Sequence, residues 1–136
     1  MLPLNHVNLP VAEVGALRDF FVRHFRFIEV ATRGRDALVV LHGADGFVLT
    51  LMRAAPADAG AYPRNFHVGF YVDGADQVRA TQTALRAAGV ETGEVEALTR
   101  GGFSSVTFYC HAPGGVLVEV SSASDAPDVA SPEEAA

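Results

Sequence analysis

Apolar and polar residues follow one another in the first part of the chain in the order that predicts a strand, a helix and three more strands. Residues 4–10 alternate as in a half-buried strand, and residues 12–25 place apolar side chains at helical spacing with charge between them. Short apolar runs, each typical of a strand and separated by glycine-containing turns, then follow at residues 27–30, 37–41 and 47–52.

The same order begins again after a stretch of small residues and prolines at 54–64. Residues 65–72 alternate as a strand, and residues 75–88 have the pattern of a helix that ends at Gly89, the residue type favoured at a helix C-terminus. Further strands are predicted at about residues 90–97, 103–110 and 115–121.

Short matching segments at equivalent places indicate an internal duplication. Residues 5–7 (NHV) of the first predicted strand correspond to residues 66–68 (FHV), and residues 46–50 (GFVLT) correspond to residues 115–119 (GVLVE). Identity between the halves is thin, so the case for a repeat also rests on the repeated order of elements.

The predicted fold class is α+β, with one domain over residues 1–122. It comprises a first module at 3–53, a linker at 54–64 and a second module at 65–122. Residues 123–136 contain small residues, two prolines and four acids, which bury too little apolar surface to offset the entropy of ordering. We expect them to form a disordered acidic tail.

Polar side chains share one face of three predicted strands, because successive strand residues point to opposite faces. That face carries His6 in the first strand, His67 in the fifth and Glu119 in the last. If the two sheets curve toward each other, these side chains meet in one concavity. Two imidazoles and a carboxylate are the donor set of a catalytic metal site with open positions for water and substrate.

A structural role is the simpler interpretation for a single strand histidine. Two histidines at equivalent positions of a repeat, with an inward glutamate, favour a metal site, because an unpaired buried carboxylate is costly. We therefore predict that a divalent metal cofactor binds His6, His67 and Glu119. Iron, zinc, nickel, cobalt and manganese all accept this donor set.

Composition excludes several classes of protein. Lys and Arg number 10 against 16 Asp and Glu, a formal net charge of −6, which argues against a nucleic-acid binder that tracks phosphates. A single cysteine, Cys110, excludes an intramolecular disulfide framework and a thiolate-rich zinc cluster. With neither a signal-peptide pattern nor an apolar run of membrane-spanning length, the sequence predicts a cytoplasmic protein without a membrane partner.

Three segments resemble the vicinal oxygen chelate superfamily, which includes glyoxalase I, extradiol ring-cleaving dioxygenases, fosfomycin-modifying thiol transferases, methylmalonyl-CoA epimerase and bleomycin-binding proteins. These segments are LNHVNLPV at 4–11, NFHVGFYV at 65–72 and FYCHAPGGVLVEV at 108–120. The resemblance covers about residues 3–122. It departs from the family pattern at Ala112 and Gly114, where the turn of the last segment usually has two aspartates.

The resemblance implies two βαβββ modules that form a curved mixed sheet around a metal-site cavity, and it places His6, His67 and Glu119 on the metal. The family's fourth ligand position falls on Thr50, a poor divalent ligand, which makes the site similar to the three-ligand sites of dioxygenases and fosfomycin-modifying enzymes. Relatives of this length commonly pair as dimers with exchanged modules. The resemblance therefore implies a homodimer whose sites draw ligands from one chain or from two.

Other residues of the polar strand faces are candidates for the site. Tyr109 stands where the family often has a tyrosine, and we predict a catalytic role for it as a hydrogen-bond donor to a metal-bound substrate oxygen. The alternative for Tyr109 is a half-buried aromatic residue with its hydroxyl in water. The remaining predicted pocket residues are Asn8, Thr50, Tyr71, Ser105 and Thr107.

The predicted function is that of a metal-dependent enzyme acting on a small molecule that chelates the ion through vicinal oxygens. With iron, the expected reaction is dioxygenase-like ring cleavage; with zinc, nickel or cobalt it is glyoxalase-like or lyase-like. One alternative is a metal-free dimer of the bleomycin-resistance type that binds a drug or metabolite. Another is a metal-binding regulatory or structural dimer without turnover.

Overall fold

The predicted periodicities appear as helices and strands in residues 1–58, 62–100 and 102–123, which a computed structural model describes. The elements are, in chain order, β1 (His6–Val11), α1 (Val14–Phe25), β2 (Ile28–Arg33), β3 (Leu38–His42), β4 (Val48–Arg53), β5 (His67–Tyr71), α2 (Ala75–Ala87), β6 (Glu96–Arg100), β7 (Phe103–Ala112) and β8 (Val116–Ala123). None of the helices in these residues is long and apolar enough to span a membrane.

The strands form two four-stranded mixed sheets with the orders β1-β4-β3-β2 and β5-β8-β7-β6. In each sheet the first strand of the module lies parallel to its last strand, β1 beside β4 and β5 beside β8. The α+β class and the βαβββ order of each module are therefore confirmed.

The sixth strand begins later than the sequence predicted. Residues 90–97 were expected to be extended, whereas β6 covers Glu96–Arg100 and only a single bridge, from Thr92 to Cys110, precedes it. The Val90 N–H donates to the Leu85 carbonyl of α2, so the start of this segment closes the helix instead of pairing in the sheet.

Contacts divide the chain into two compact units. The first takes in the chain up to Arg64 and the turn Ala112–Gly115 between β7 and β8; the second takes in the other residues from Asn65. The turn packs on the first unit, where a Cβ at Gly114 would lie 3.0 Å from the Val11 side chain. The sequence predicts this turn as part of the second module, 65–122.

The predicted linker is held against β1 of the first unit. The Ala54 N–H donates to the Val11 carbonyl, and the Tyr62 hydroxyl donates to the Pro10 carbonyl over 2.7 Å. Residues 59–61 of the linker lie outside the described residues, as does the predicted tail apart from Ala123, which ends β8.

The first unit buries one face of its sheet under α1. Leu17 and Phe21 of the helix are buried, as are alternate strand residues such as Leu9 on β1 and Leu51 on β4. Because side chains alternate along a strand, burial of Leu9 leaves His6 and the other even-numbered residues of β1 on the opposite face.

The second unit is built in the same way. Val78 and Leu85 of α2 are buried with Phe108 of β7 and with Val118 of β8. Cys110 belongs to this buried face, and burial raises the pKa of its thiol to about 11, so it stays protonated and is unsuited to nucleophilic chemistry. The opposite face of this sheet carries the titratable side chains described next.

Candidate metal centre

Strand pairing brings His67 and Glu119 to the same face of the second sheet. In the parallel pair of β5 and β8, His67 lies beside Leu117 and Gly69 lies beside Glu119. The two polar side chains are thus diagonal neighbours, and His67 Nε2 lies 3.8 Å from Glu119 Oε1. Both side chains are partly exposed, so the pair is open to a ligand.

A main-chain carbonyl orients the His67 ring. Its Nδ1 lies 3.0 Å from the carbonyl oxygen of Asn65. Because a carbonyl oxygen can only accept, the contact selects the neutral tautomer with the proton on Nδ1 and the lone pair on Nε2. In that tautomer the lone pair belongs to the nitrogen nearer Glu119, which is the arrangement that a metal ligand needs.

Tyr109 on β7 completes a cluster with His67 and Glu119. Its hydroxyl donates a hydrogen bond of 2.8 Å to Glu119 Oε2. Its ring meets the His67 ring edge to face, with centroids 5.6 Å apart and planes at 90°. We call His67, Tyr109 and Glu119 the second-unit cluster.

A cavity of about 510 Å³ opens beside this cluster and is lined by Asn65, His67, Tyr109 and Leu117. All four lining residues belong to the second unit. The volume falls in the range of small-molecule sites, and the wall combines an imidazole, a phenol and an amide with one aliphatic side chain.

Gly69 lies beside the Glu119 carboxylate and was not singled out from the sequence. It lies on β5 between His67 and Tyr71, on their face of the sheet. A Cβ at this position would lie 3.4 Å from Glu119 Oε1, at the short end of ordinary van der Waals contact. A glycine inside a strand often marks the close approach of a ligand or another group, which is the signal available in the sequence.

His6 lies on β1 of the first unit, and it is exposed. Its Nδ1 lies 2.6 Å from the Asn5 side-chain oxygen. An amide oxygen also only accepts, so this contact too selects the neutral tautomer with its lone pair on Nε2. The strand pattern predicts His6 as a ligand but gives no role to Asn5.

The second-unit pair fits two of the three predicted coordination positions. Donor atoms that each lie about 2.1 Å from one ion are separated by roughly 3.0–3.4 Å. The 3.8 Å between His67 Nε2 and Glu119 Oε1 needs only a small side-chain adjustment to reach that separation. Within residues 1–58, 62–100 and 102–123, no three His, Cys, Asp or Glu side chains lie close enough together to hold a metal.

Two predicted pocket residues of the first unit are neighbours in its sheet. Asn8 on β1 lies beside Thr50 on β4. The Asn8 amide donates a hydrogen bond of 3.2 Å to the Met52 sulfur. The Asn8 amide N–H is therefore directed along the sheet face toward the Met52 thioether.

The predicted pocket residues of the second unit differ in accessibility. Tyr71 is 72% exposed, and Ser105 is half-buried. Thr107 is only 1% exposed, and its hydroxyl donates to the Val120 carbonyl. Strand parity gave the side of the sheet for Thr107 but not this hydrogen bond, which directs the hydroxyl to the main chain.

Comparison with known proteins finds a matching family model and similar solved structures. The family model for the glyoxalase/bleomycin resistance protein/dioxygenase superfamily matches residues 3–120. The chain is similar to the structure of a possible glyoxalase from Bacillus cereus at 37% identity, with 88% of this chain and 98% of that chain covered and a TM-score of 0.71. No curated protein matches the chain.

Two further structures are similar in fold at lower identity. A lactoylglutathione lyase from Agrobacterium tumefaciens is 19% identical over 90% of this chain and 94% of its own, with a TM-score of 0.70. A genomically encoded fosfomycin resistance protein from Listeria monocytogenes is 19% identical over 90% of this chain and 93% of its own, with a TM-score of 0.71.

Proposed function

Because the chain belongs to the glyoxalase/bleomycin resistance protein/dioxygenase superfamily, we propose that it is a metal-dependent enzyme whose substrate chelates the ion through vicinal oxygens. The ligands of the proposed site are His6, His67 and Glu119. The observation that carries the proposal is the geometry of the second-unit pair, with His67 Nε2 3.8 Å from Glu119 Oε1 beside a small-molecule cavity.

The protein's own residues prepare this site. A bound divalent ion of iron, zinc, nickel, cobalt or manganese supplies a Lewis acid that polarises the chelating oxygens of a substrate. The Asn65 carbonyl fixes the His67 ring, and Tyr109 fixes one oxygen of Glu119. Leu117 supplies an apolar part of the cavity wall.

Of the two reaction branches, the glyoxalase-like or lyase-like branch is the first candidate, because the structure with 37% identity is described as a possible glyoxalase. Oxidative ring cleavage with iron is the second candidate. It is supported by Thr50 at the family's fourth ligand position, which leaves two histidines and one carboxylate as the ligand set.

Metal content tests the proposal directly. Protein purified without added metal is expected to hold about one ion per chain, and His67→Ala is expected to lose it, because the variant lacks one of three ligands. His42→Ala is the matched control, since His42 is an exposed strand histidine of the first unit and is expected to keep the metal.

The measurement is elemental analysis of each purified variant together with protein concentration. A wild-type protein that neither carries nor takes up any of the five ions supports the metal-free binding protein instead. Retention of the full metal content in His67→Ala contradicts the proposed ligand set.

We also propose that the working form is a homodimer, in which the His6 of one copy joins the His67 and Glu119 of the other. Relatives of this length commonly pair as dimers with exchanged modules, and His6 lies on a different unit of the chain from His67 and Glu119. Large apolar side chains are also exposed, as expected of surfaces that meet a partner; among them are Leu2, Leu4, Ile28, Val30 and Tyr71.

Subunit mixing tests whether two copies share a site. When chains carrying His6→Ala are co-expressed with chains carrying His67→Ala, metal is expected at about one quarter of the sites, because half of the dimers are mixed and each mixed dimer regains one intact site. Each variant alone is expected to hold none. The measurement is metal content, with the dimer verified by analytical ultracentrifugation.

Measuring metal in purified mixed dimers gives a larger signal, since about half of their sites are expected to hold metal. If mixed dimers form and stay free of metal while the wild type binds it, the ligands come from one chain. A monomeric wild-type protein that binds metal also contradicts the shared site.

A further inference from the structure

We propose that Tyr109 is a positioning residue, which holds Glu119 Oε2 by a hydrogen bond so that the carboxylate ligates the metal through Oε1 alone. The inference rests on the proposed metal site and adds how one of its ligands is oriented. It also gives Tyr109 a different role from the one that the sequence predicted, which was to donate a hydrogen bond to a substrate oxygen.

The two oxygens of Glu119 have different surroundings. Oε2 accepts the hydrogen bond of 2.8 Å from Tyr109, whereas Oε1 faces His67 Nε2 at 3.8 Å. A carboxylate can bind a metal with one oxygen or with both. A hydrogen bond to Oε2 stabilises the arrangement in which only Oε1 turns toward the ion beside His67.

The Tyr109 hydroxyl has a single proton to donate. That proton is directed to Glu119 Oε2. Donation to a substrate oxygen would require this hydrogen bond to break and would leave the carboxylate free to rotate. The geometry therefore favours an action of Tyr109 through Glu119.

Contacts at both ends of Tyr109 keep it in this position. Its main-chain carbonyl accepts a hydrogen bond of 2.8 Å from the Gly93 N–H. Its ring lies edge to face against the His67 imidazole at 5.6 Å. A residue fixed at its backbone and along its ring presents its hydroxyl in one place, as a positioning group requires.

Gly69 complements Tyr109 on the other side of the carboxylate. A Cβ at residue 69 would lie 3.4 Å from Oε1, so the glycine keeps the space at this oxygen open. Tyr109 engages Oε2 and Gly69 leaves Oε1 accessible. The carboxylate is thus prepared to offer a single oxygen to an ion.

The variant Tyr109→Phe tests this role, because it keeps the ring and removes only the hydroxyl. The dissociation constant for Zn²⁺ is expected to rise about 10- to 100-fold, the usual effect of losing a partner that orients a metal ligand. Crystal structures of the Zn²⁺-loaded proteins are expected to show one Glu119 oxygen on the metal in the wild type and both in Tyr109→Phe.

Tyr62→Phe is the matched control. It removes a tyrosine hydroxyl that donates to the Pro10 carbonyl in the first unit, whereas Glu119 belongs to the second. Its Zn²⁺ affinity and carboxylate geometry are expected to equal those of the wild type.

The outcomes separate this inference from the proposed function. Unchanged Zn²⁺ affinity together with single-oxygen ligation in Tyr109→Phe overturns the positioning role and leaves the metal site standing. Absence of Zn²⁺ binding in the wild type and in Tyr62→Phe overturns the proposed function, and the inference with it.

Discussion

Replacing Glu119 with glutamine is expected to remove most of the stabilisation that a divalent ion gives to the folded protein. An ion that binds only the folded state stabilises it by about 2.7 kcal/mol at 100 times its dissociation constant. Since loss of an outer partner alone weakens binding about 10- to 100-fold, loss of a ligand is expected to cost at least about 100-fold. The ion should then stabilise the folded Glu119→Gln variant by no more than about 0.4 kcal/mol at the same ion concentration.

The physical reason is that glutamine preserves shape but not charge. Its amide oxygen still accepts the hydrogen bond that Tyr109 donates to Glu119 in the wild type. A neutral amide oxygen, however, binds a divalent ion much more weakly than a carboxylate in a site with two neutral imidazoles. The apoprotein should therefore fold almost as well as before while its response to metal disappears.

The measurement is urea unfolding of each protein with a chelator and with added Zn²⁺. Glu96→Gln is the matched control, because Glu96 is an exposed carboxylate on β6 of the same unit. It should keep the wild-type response to metal. An equal gain of stability from Zn²⁺ in Glu119→Gln and in the wild type would remove Glu119 from the ligand set.

Phe21→Ala is expected to lower the free energy of unfolding by about 3–5 kcal/mol, a large part of the ordinary total of about 5–15 kcal/mol. Phe21 is 0% exposed under the first sheet. Its ring meets Phe20 at 5.6 Å and Phe27 at 5.6 Å, both edge to face. Removing it leaves a cavity that these neighbours fill only in part, because they are themselves buried.

Val22→Ala is the matched control for this prediction. Val22 is the next residue of α1 and is 39% exposed, so its loss should change stability by less than about 0.5 kcal/mol. Urea unfolding followed by circular dichroism compares the two variants. A loss below about 1 kcal/mol for Phe21→Ala would show that α1 contributes little to the core.

The order of elements could be predicted from the sequence because each pattern is local. The helical spacing of α1 and the alternation in β5 are properties of single segments, and both elements form where they were expected. The start of β6 could not be predicted, because it depends on the hydrogen bond from the Val90 N–H to the Leu85 carbonyl, which ends α2 instead of extending a strand.

Hydrophobicity predicted the second strand but not its burial. The apolar run at 27–30 forms the start of β2, yet Ile28 is 66% exposed, since β2 lies at the edge of its sheet. An apolar side chain favours a strand wherever the strand lies. Whether another layer covers it depends on the packing of the whole protein or of its assembly.

Part of the candidate site was predictable because the alternation of side chains along a strand is a local pattern. Alternation placed His67 and Glu119 on one face of the sheet, and their side chains lie within 3.8 Å of each other there. Tyr109 was predicted in a different role, and two further groups beside the pair were missed. The Asn65 carbonyl is a main-chain atom and Gly69 has no side chain, so neither gives a chemical signal in the sequence.

By itself, the sequence determined the repeated βαβββ order and the face of the strand on which each candidate ligand lies, because periodicity acts between near neighbours. Tertiary structure alone decided that the Tyr109 proton goes to Glu119 and that His67 Nε2 lies 3.8 Å from Glu119 Oε1. Those contacts join separate strands, β7 with β8 and β5 with β8, and their distances depend on how the strands pair in register, which no local pattern specifies.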